Sequence, residues 1–337
     1  MNGHFELAKK FLSLRPRIGQ IANLLKYSVC FATGRFPAHL RYRPITFGAY
    51  VTHRCNLNCP FCCRLAADRA STKYDMTVQD FRSLVAHPSL RDAFRVAFMG
   101  GEPLLHSDLF TFIELARRHK KLTYVATNGL LVSERLDQFR QSTLGSIQFS
   151  LYDGHMDRQV ENIHKLRSTN RRISVVLSRI VTSQPESWQT MREIMRIAAD
   201  VKARDVLFFT YEPLSANDLA LCFFDDNTEM REYMDAFAEE FGRNFRIRMP
   251  SPVPRKATRP FCVVPYTAPY IGKGGSVSPC CEILPPADEM GNFFVGDFWN
   301  NEFFSNLRKN FASRFPVHPR CKYCPASATG KARGFSI

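Results

Sequence analysis

Three cysteines within eight residues are the part of this sequence best suited to chemistry. Cys55, Cys59 and Cys62 follow the spacing C-x3-C-x2-C. Thiolates at this spacing on one loop can ligate three irons of a [4Fe–4S] cluster, which normally takes four cysteine ligands, so one iron would stay open to a small molecule. Zinc is the alternative metal for these cysteines, but zinc sites usually add a second cysteine pair. Apart from the adjacent Cys63, the next cysteine along the chain is Cys222.

Short apolar segments rich in β-forming residues alternate with helical patterns along the chain. The strand-like segments are 45–51, 95–99, 122–126, 146–150, 173–177 and 206–209, and the helical patterns include 80–85, 109–117, 158–167 and 188–198. This alternation predicts an α/β fold of βα units around a parallel sheet. Polar or glycine-rich motifs follow the strands, among them Gly-Gly-Glu-Pro at 100–103 and Thr-Asn-Gly at 127–129. In a parallel barrel, that end of the strands carries the active site.

The cysteine loop and the motifs that follow it, taken in this order, resemble the radical S-adenosylmethionine (radical SAM) superfamily. The resemblance implies a partial (β/α)6 barrel of the TIM type, with SAM chelating the open iron of the [4Fe–4S] cluster through its amino and carboxylate groups. It also implies reductive cleavage of SAM to a 5′-deoxyadenosyl radical, which is chemistry that the protein's own side chains could not supply.

The same resemblance assigns five residues to SAM binding. Gly100 and Gly101 would let the backbone approach the ligand, since glycine has no Cβ. Glu102 would accept hydrogen bonds from the SAM ammonium group. Ser150 and Arg179 would hold the carboxylate and ribose, and a planar guanidinium suits a carboxylate. For Arg179, a solvated arginine at a strand end is an equally open interpretation.

A second group of cysteines lies in the C-terminal part of the chain. Cys262, Gly275 and Cys280 follow the spacing C-x12-G-x4-C, and the pair Cys321-x2-Cys324 comes later. A Gly-Asn segment at 291–292 and a run of aromatic residues lie between them. This combination resembles the auxiliary-cluster domain of SPASM/twitch radical SAM enzymes.

That resemblance implies one auxiliary [4Fe–4S] cluster with four cysteine ligands, namely Cys262, Cys280, Cys321 and Cys324. A full SPASM domain carries further cysteines for another cluster, and residues 325–337 have none. Cys281 is an alternative fourth ligand. A structural zinc site built from the same cysteines is a second alternative.

The length of 337 residues fits one or two domains. The predicted parts are a basic amphipathic extension (1–44), the radical SAM barrel (45–215), a helical connection with a helix at 227–241 and a Pro-rich linker (216–255), and the SPASM/twitch-like domain (256–337). The proline-rich run at 249–255 has too few amide donors for a helix or a central strand.

The first 44 residues are strongly basic. They contain eight Lys or Arg against one acid, Glu6, and so contribute +7 of the net charge of +15. An apolar stripe at helical spacing runs through Ile18, Ile21, Ala22, Leu25 and Val29. The segment 18–34 that carries this stripe is too short and polar to span a membrane, which takes about 20 apolar residues. Three alternatives stay open: packing on the barrel's open side, docking on an anionic membrane surface, or contact with nucleic acid.

The cysteine usage predicts a reducing cytoplasm. A disulfide-rich protein would be a small secreted chain, whereas this chain is larger, opens with no secretory signal, and places seven of its eleven cysteines at two metal-type sites. The protein would then be cytoplasmic, with peripheral contact at the inner face of the membrane if residues 1–44 dock there.

The predicted function is that of a radical SAM oxidoreductase or other C–H-modifying enzyme, with net oxidation favoured because an auxiliary cluster suits accepting the substrate's electron. Its substrate is open among a small alcohol or sugar, a lipid and a peptide, and its electron donor would be a flavodoxin or ferredoxin.

The alternative is a non-catalytic metal-stabilised protein that binds nucleic acid or membrane, although no RNA-binding motif is present. No residue stands out as a general base, and further pocket candidates are Tyr152, Asp153, Tyr211, Glu212, Tyr266 and Glu282.

Overall fold

The centre of the protein is a parallel sheet. The computed structural model describes residues 2–62, 72–213, 215–255, 261–281, 290–313, and Cys321 and Cys324. Six strands follow one another as parallel neighbours: β1 (Thr46–Thr52), β2 (Arg95–Gly100), β3 (Leu122–Thr127), β4 (Ser146–Ser150), β5 (Ser174–Val181) and β6 (Asp205–Thr210). All six were predicted from the sequence, and the predicted partial (β/α)6 barrel is confirmed.

Helices pack against one side of this sheet. They are α3 (Val78–Ala86), α4 (Pro88–Arg91), α5 (Leu109–Arg118), α6 (Leu136–Gln141), α7 (Met156–Thr169) and α8 (Pro185–Asp200). The helical patterns found in the sequence correspond to α3, α5, α7 and α8, whereas α4 and α6 are too short to show a period. Phe81 of α3 packs on Phe98 of β2 and Phe112 of α5, with ring centroids 5.4 and 5.0 Å apart, so aromatic burial fixes the helices to the strands.

Residues beyond the barrel extend the same sheet. The predicted helix at 227–241 is α9 (Thr228–Phe241), followed by β7 (Arg246–Arg248), which pairs with β6. On the other edge, β8 (Tyr270–Ile271) pairs in parallel with β1, and β9 (Val277–Ser278) is antiparallel to β8. The segment predicted as a C-terminal domain thus begins by adding two strands to the barrel sheet, and it continues into α10 (Glu302–Ser313).

Two N-terminal helices, α1 (Asn2–Ser13) and α2 (Ile18–Thr33), cover the amino-terminal end of the barrel. Lys10 donates to the hydroxyl of Ser174, the first residue of β5, and Phe11 packs on Phe94, just before β2. These helices pack on the barrel, and they lie at the end opposite the motifs. Among the described residues, no helix is long and apolar enough to cross a membrane.

Candidate active site

The cysteine loop leaves the barrel directly after β1, and its base is firmly anchored. Arg54 donates through Nε and Nη2 to the Asp75 carboxylate, at 3.1 and 2.6 Å, and through Nη2 to the Leu105 carbonyl at 3.0 Å. His53 stacks on Tyr74 with ring centroids 4.4 Å apart. The loop therefore starts from a fixed direction, and the thiols of its three predicted ligands are partly exposed beyond it.

Gly100 and Gly101 bring the second strand's motif against this loop. The Gly101 amide donates to the Thr52 carbonyl at 2.8 Å, and the next amide donates to the Arg54 carbonyl at 2.7 Å. A Cβ atom would lie 2.1 Å from the Thr52 oxygen at Gly100 and 2.0 Å from the Arg54 oxygen at Gly101. Both glycines are thus required for the contact between two backbone segments, which is a different role from the predicted approach to SAM. Their contact with SAM stays a prediction.

Glu102 is a buried carboxylate with three hydrogen-bond donors. It is 1% exposed and accepts from the Leu104 amide at 2.9 Å, the Thr127 hydroxyl at 2.7 Å and the Asn128 amide at 2.8 Å. Burial raises the pKa of Glu102, while the three hydrogen bonds act in the opposite direction. A carboxylate has about four acceptor sites. One site is therefore left for a further donor, and a cationic donor would also stabilise the buried charge.

Asn128 joins the third motif to the cysteine loop. Its side-chain amide donates to the Asn56 side chain at 2.7 Å, and Asn56 is the residue after Cys55. The cysteine loop, Gly-Gly-Glu-Pro and Thr-Asn-Gly are thus linked by hydrogen bonds at the carboxyl ends of β1, β2 and β3. The sequence predicted that these motifs meet at one face, and the structure brings them together.

Two polar residues of α7 that were not found from the sequence hold these loops in place. The Gln159 side chain donates to the carbonyls of Asn128 at 2.6 Å and Ser150 at 2.8 Å, and accepts from the Tyr152 amide at 3.1 Å. Asn162 similarly donates to two carbonyls of the loop after β3. Both side chains are fully buried, and their i, i+3 spacing puts them on the inner face of the helix. Polar residues on that face were the signal that could have found them.

Arg179 lies in a cavity beside the cysteine loop. Its side chain is 8% exposed, its Nη2 donates to both Asp153 oxygens at 2.8 and 2.7 Å, and its buried Nε has no hydrogen-bond partner among the described residues. The solvated interpretation of Arg179 is therefore wrong. Ser150, at the end of β4, is within 3.4 Å of the Ser178 hydroxyl on the neighbouring strand.

The cavity has a volume of about 340 Å³ and an aromatic wall. Phe61 of the cysteine loop stacks on Tyr152 with ring centroids 5.6 Å apart. The lining residues are Leu57, Asn58, Cys59, Pro60, Phe61, Leu151, Tyr152, Asp153, His155, Arg179 and Ile180. A larger cleft of about 590 Å³ lies along α6, among side chains that have no predicted role.

The groups around the mouth of the barrel, at the carboxyl ends of its strands, fit an iron–sulfur cluster with bound SAM. Thiolates are suitable ligands for iron, Glu102 keeps an acceptor site for an ammonium group, and Arg179 keeps an unused donor for a carboxylate. Among the described residues, no three His, Cys, Asp or Glu side chains converge on the position of a single metal ion.

Three C-terminal cysteines lie close to one another, and one of them contacts the segment after β6. Cys262 is buried and packs with Cys321 and with residues of α10. The Cys324 thiol donates to Glu212 at 3.6 Å, and Glu212 is two residues beyond β6. Burial raises the pKa of Cys262 to about 12, so a metal would be needed to hold it as a thiolate at neutral pH.

Cys280 and Cys281 follow β9 at the other edge of the barrel sheet. The Cys280 carbonyl accepts from the Ser278 hydroxyl at 2.6 Å, and the Cys281 carbonyl accepts from the Tyr50 hydroxyl at 3.4 Å. Burial raises the pKa of Tyr270 well above its ordinary value, and Cys281 adds to that rise. Both cysteines are thus beside β8, and the choice between them as a ligand stays a prediction.

Gly275 explains the glycine in the C-terminal motif. It has φ +81°, and a Cβ atom there would lie 2.5 Å from the ring of Phe294. The Phe293 amide donates to the Gly275 carbonyl at 2.7 Å, and the Asn292 side chain donates to the Gly274 carbonyl at 2.7 Å. The glycine, Gly-Asn and aromatic parts of the motif therefore form one packed unit.

The remaining pocket candidates have different surroundings. Tyr211 is buried in a small apolar cluster with Cys222, and Phe61 and Ile180 pack against it. Tyr266 lies in the core, where its hydroxyl donates to the Arg308 carbonyl at 3.1 Å. Glu282 and Cys63 lie outside the described residues.

Comparison with known proteins supports the family predicted from the motifs. Residues 49–180 match the sequence profile of the Radical SAM superfamily, and this segment of the chain is a radical SAM domain. A segment of 112 residues is 30% identical to the PqqA peptide cyclase of Gluconobacter oxydans (strain 621H). The match covers 33% of this chain and 31% of that protein, so the chain spans about a third of this relative.

Solved structures with the same fold include SuiB of Streptococcus suis. The crystal structure of SuiB has a TM-score of 0.62 at 16% identity, covering 79% of this chain and 68% of that chain. SuiB bound to its precursor peptide SuiA has a TM-score of 0.64 at 16% identity, covering 91% and 74%. At this identity the likeness shows the fold alone, and together with the match of residues 49–180 to the Radical SAM superfamily it confirms the predicted α/β barrel.

Proposed function

We propose that this protein is a radical SAM enzyme whose Cys55, Cys59 and Cys62 hold a [4Fe–4S] cluster with one iron open to SAM. The observation that carries the proposal is the joining of three motifs at one barrel mouth. Glu102 accepts from Thr127 and from the amide of Asn128, while the Asn128 side chain donates to the cysteine loop. Support also comes from the match of residues 49–180 to the Radical SAM superfamily.

When bound and reduced, the cluster would supply one electron that cleaves SAM to methionine and a 5′-deoxyadenosyl radical, which takes a hydrogen atom from the substrate. The chain's own residues bind and orient. Glu102 would receive the ammonium group at its remaining acceptor site, and Arg179 would donate Nε to the carboxylate. The stacked rings of Phe61 and Tyr152 would exclude water from one wall of the cavity.

A second cluster near the substrate would make the reaction a net oxidation. Its proposed ligands are Cys262, Cys280, Cys321 and Cys324. Support comes from the Cys324 thiol, which contacts Glu212 just beyond β6, next to the strand that carries Arg179. The auxiliary cluster could accept the electron that the substrate radical loses. A flavodoxin or ferredoxin would supply the separate electron that is needed to cleave SAM. Both clusters require a reducing compartment, which supports a cytoplasmic location.

We propose a peptide as the substrate class. Two lines of support are the 30% identity to a protein named as a PqqA peptide cyclase and the shared fold with SuiB, which has been solved with its precursor peptide SuiA. The net charge of +15 favours a peptide with acidic residues, because charge complementarity speeds encounter.

The test is anaerobic reconstitution followed by metal analysis and an assay for 5′-deoxyadenosine. Wild-type protein should bind about eight irons per chain, from two clusters of four. After chemical reduction with dithionite and addition of SAM, it should release 5′-deoxyadenosine. Cys55→Ala should release none, whereas Cys30→Ala, which changes a thiol on α2 outside both sites, should behave like wild type.

Two results would contradict the proposal. Zinc bound in place of iron after reconstitution, with no cleavage of SAM, would support the metal-stabilised binding protein instead. Release of 5′-deoxyadenosine by Cys55→Ala at the wild-type rate would show that this loop does not hold the catalytic cluster.

A further inference from the structure

Helix α2 turns its apolar face to solvent. Ile18 is 87% exposed, and Leu25 and Val29 are each 62% exposed, with Ile21 and Ala22 on the same face. These are the residues of the apolar stripe that the sequence shows at helical spacing. A helix on the surface of a globular protein ordinarily turns such a stripe toward the core. Here the arrangement is reversed.

The opposite face of α2, which carries the polar side chains of Gln20 and Asn23 beside Leu24 and Tyr27, is the one that packs on the barrel. The Gln20 side chain donates to the carbonyls of Ala93 at 3.1 Å and Lys120 at 3.0 Å. The Asn23 side chain donates to the Arg43 carbonyl at 3.1 Å and accepts from the Arg43 amide at 2.8 Å. Rotating the helix to bury the stripe would break all four bonds and leave the partner groups unsatisfied. The outward orientation of the stripe is therefore built into the packing.

Exposed large apolar side chains are concentrated on these two helices. Seven occur among the described residues, and five of them are on α1 and α2: Leu12, Ile18, Ile21, Leu25 and Val29. Clustered exposure of this kind marks an interaction surface, whereas single exposed apolar residues are ordinary. The other two, Phe294 and Val295, lie in the C-terminal segment.

Basic side chains surround this apolar surface. Lys9, Arg15, Lys26, Arg35 and Arg41 are all exposed. Glu6 is the one acid in residues 1–44. The nearest acids on packed elements are already neighbours of arginine: Asp92 is mostly buried beside Arg91, and Asp297 pairs with Arg43 at 2.9 Å. The surface is thus apolar at its centre and positive at its edge.

We propose that α1 and α2 dock the protein on the surface of an anionic lipid bilayer. The stripe of Ile18, Leu25 and Val29 would enter the headgroup region, and the basic edge would contact lipid phosphates and carboxylates, as expected for an amphipathic helix lying in the interface. A second copy of the chain is a poorer occupant, because it would bring two segments of charge +7 together. The proposal is independent of the catalytic one.

Docking in this way fixes the orientation of the enzyme. Helix α1 contacts Ser174 and Phe94, and α2 contacts Ala93, all at the amino-terminal ends of strands. Both helices therefore lie opposite the mouth of the barrel that carries the cysteine loop. The mouth would face away from the bilayer. The substrate would then arrive from the aqueous side, which suits a peptide and disfavours a lipid taken from the membrane.

The experiment is co-sedimentation of the full-length, reconstituted protein with vesicles. Vesicles of phosphatidylcholine containing about one quarter phosphatidylserine should bind the protein at low salt, and neutral phosphatidylcholine vesicles should bind it weakly. Binding should weaken as salt rises, because screening acts over roughly 10 Å at 0.1 M. Each basic residue near such a surface raises partitioning about fivefold, so Arg15→Glu with Lys26→Glu should lower it by well over tenfold.

The stripe is tested separately from the charge. Ile18→Ser, Leu25→Ser and Val29→Ser together should abolish binding without unfolding the protein, because these side chains make the outer face of α2. Iron content and circular dichroism check the fold. The matched controls are Val295→Ser for an exposed apolar residue, and Arg196→Glu with Arg231→Glu for exposed charges on α8 and α9. Both controls should bind like wild type.

Several outcomes would overturn the proposal. Failure of the wild-type protein to bind phosphatidylserine vesicles would do so, and so would undiminished binding of the triple serine variant. Loss of binding in the control variants to the same degree would show a non-specific effect of charge or exposure. A concentration-dependent dimer that the serine changes convert to a monomer, without vesicle binding, would assign the stripe to a second copy of the chain.

Discussion

The two cysteine groups of this protein are built in different ways. Cys55, Cys59 and Cys62 lie on one loop of eight residues, which leaves a strand anchored by Arg54 and Asp75. The C-terminal group draws on cysteines from 262 to 324 and depends on contacts between distant elements, such as that of Cys324 with Glu212. One site is therefore local in sequence, and the other exists only once the chain is folded.

The two proposed sites are therefore sensitive to different changes in the chain. The loop site needs its neighbours mainly for position, because its ligand set is already fixed by spacing. The proposed C-terminal site draws its ligands from beside β6, β9 and α10, and cluster binding there would contribute to folding. Changes in one group of cysteines should therefore leave the other group intact.

The largest expected effect is on the C-terminal site. Changing Cys321→Ala together with Cys324→Ala should lower the iron content by about half, since each cube takes four irons. Circular dichroism and iron analysis of the reconstituted protein would measure this. Iron at the wild-type level would mean that these cysteines are not ligands.

Glu102→Gln should weaken SAM binding by about 10- to 100-fold, because a hydrogen bond to a charged group contributes roughly 1.5–3 kcal/mol. Equilibrium binding of SAM to reconstituted protein measures the effect, and Glu186→Gln, at an exposed position on α8, is the control. An unchanged affinity would remove Glu102 from the SAM site.

The pH dependence of SAM binding follows from the same carboxylate. The proposed contact with the SAM ammonium group requires the ionised form of Glu102, and burial raises the pKa of Glu102. Affinity should therefore fall as the pH is lowered through the raised pKa, beginning at a higher pH than for an ordinary carboxyl group. Glu102→Gln should lose this dependence; if it keeps it, another group titrates.

Gly101→Ala should lower the free energy of unfolding by about 1–3 kcal/mol, since the new methyl would overlap a backbone oxygen that cannot easily move. Urea unfolding measures this. Gly154→Ala is the control: it has φ +75° and open space around it, so it should cost only the backbone strain of about 1 kcal/mol and leave the cysteine loop unaffected. An equal loss of unfolding free energy in both variants would contradict a special role for the contact between Gly101 and the cysteine loop.

The smallest effect is expected at Asp153. Its side chain is largely exposed, so its ion pair with Arg179 should contribute no more than about 1 kcal/mol. Asp153→Asn should change the affinity for SAM by less than about fivefold. A larger loss would show that Asp153 itself contacts the ligand.

The comparison also shows what the sequence could and could not predict. The loop site, the six strands and the meeting of the motifs were predictable because their signals are local: cysteine spacing, strand period and turn residues. Gln159 and the Arg54–Asp75 pair were missed because they act through contacts between elements. The orientation of α2 was not predictable either, since the sequence shows a stripe of apolar residues but not the hydrogen bonds of Gln20 and Asn23 that turn it outward.

The central claim is that the cluster proposed on the loop of Cys55, Cys59 and Cys62 cleaves SAM without help from the C-terminal cluster. The most direct measurement is the yield of 5′-deoxyadenosine from reduced, reconstituted Cys59→Ala assayed beside the double variant Cys321→Ala with Cys324→Ala. The double variant should still release 5′-deoxyadenosine, and Cys59→Ala should release none while keeping about half of its iron. Release by Cys59→Ala at the wild-type level would contradict the account.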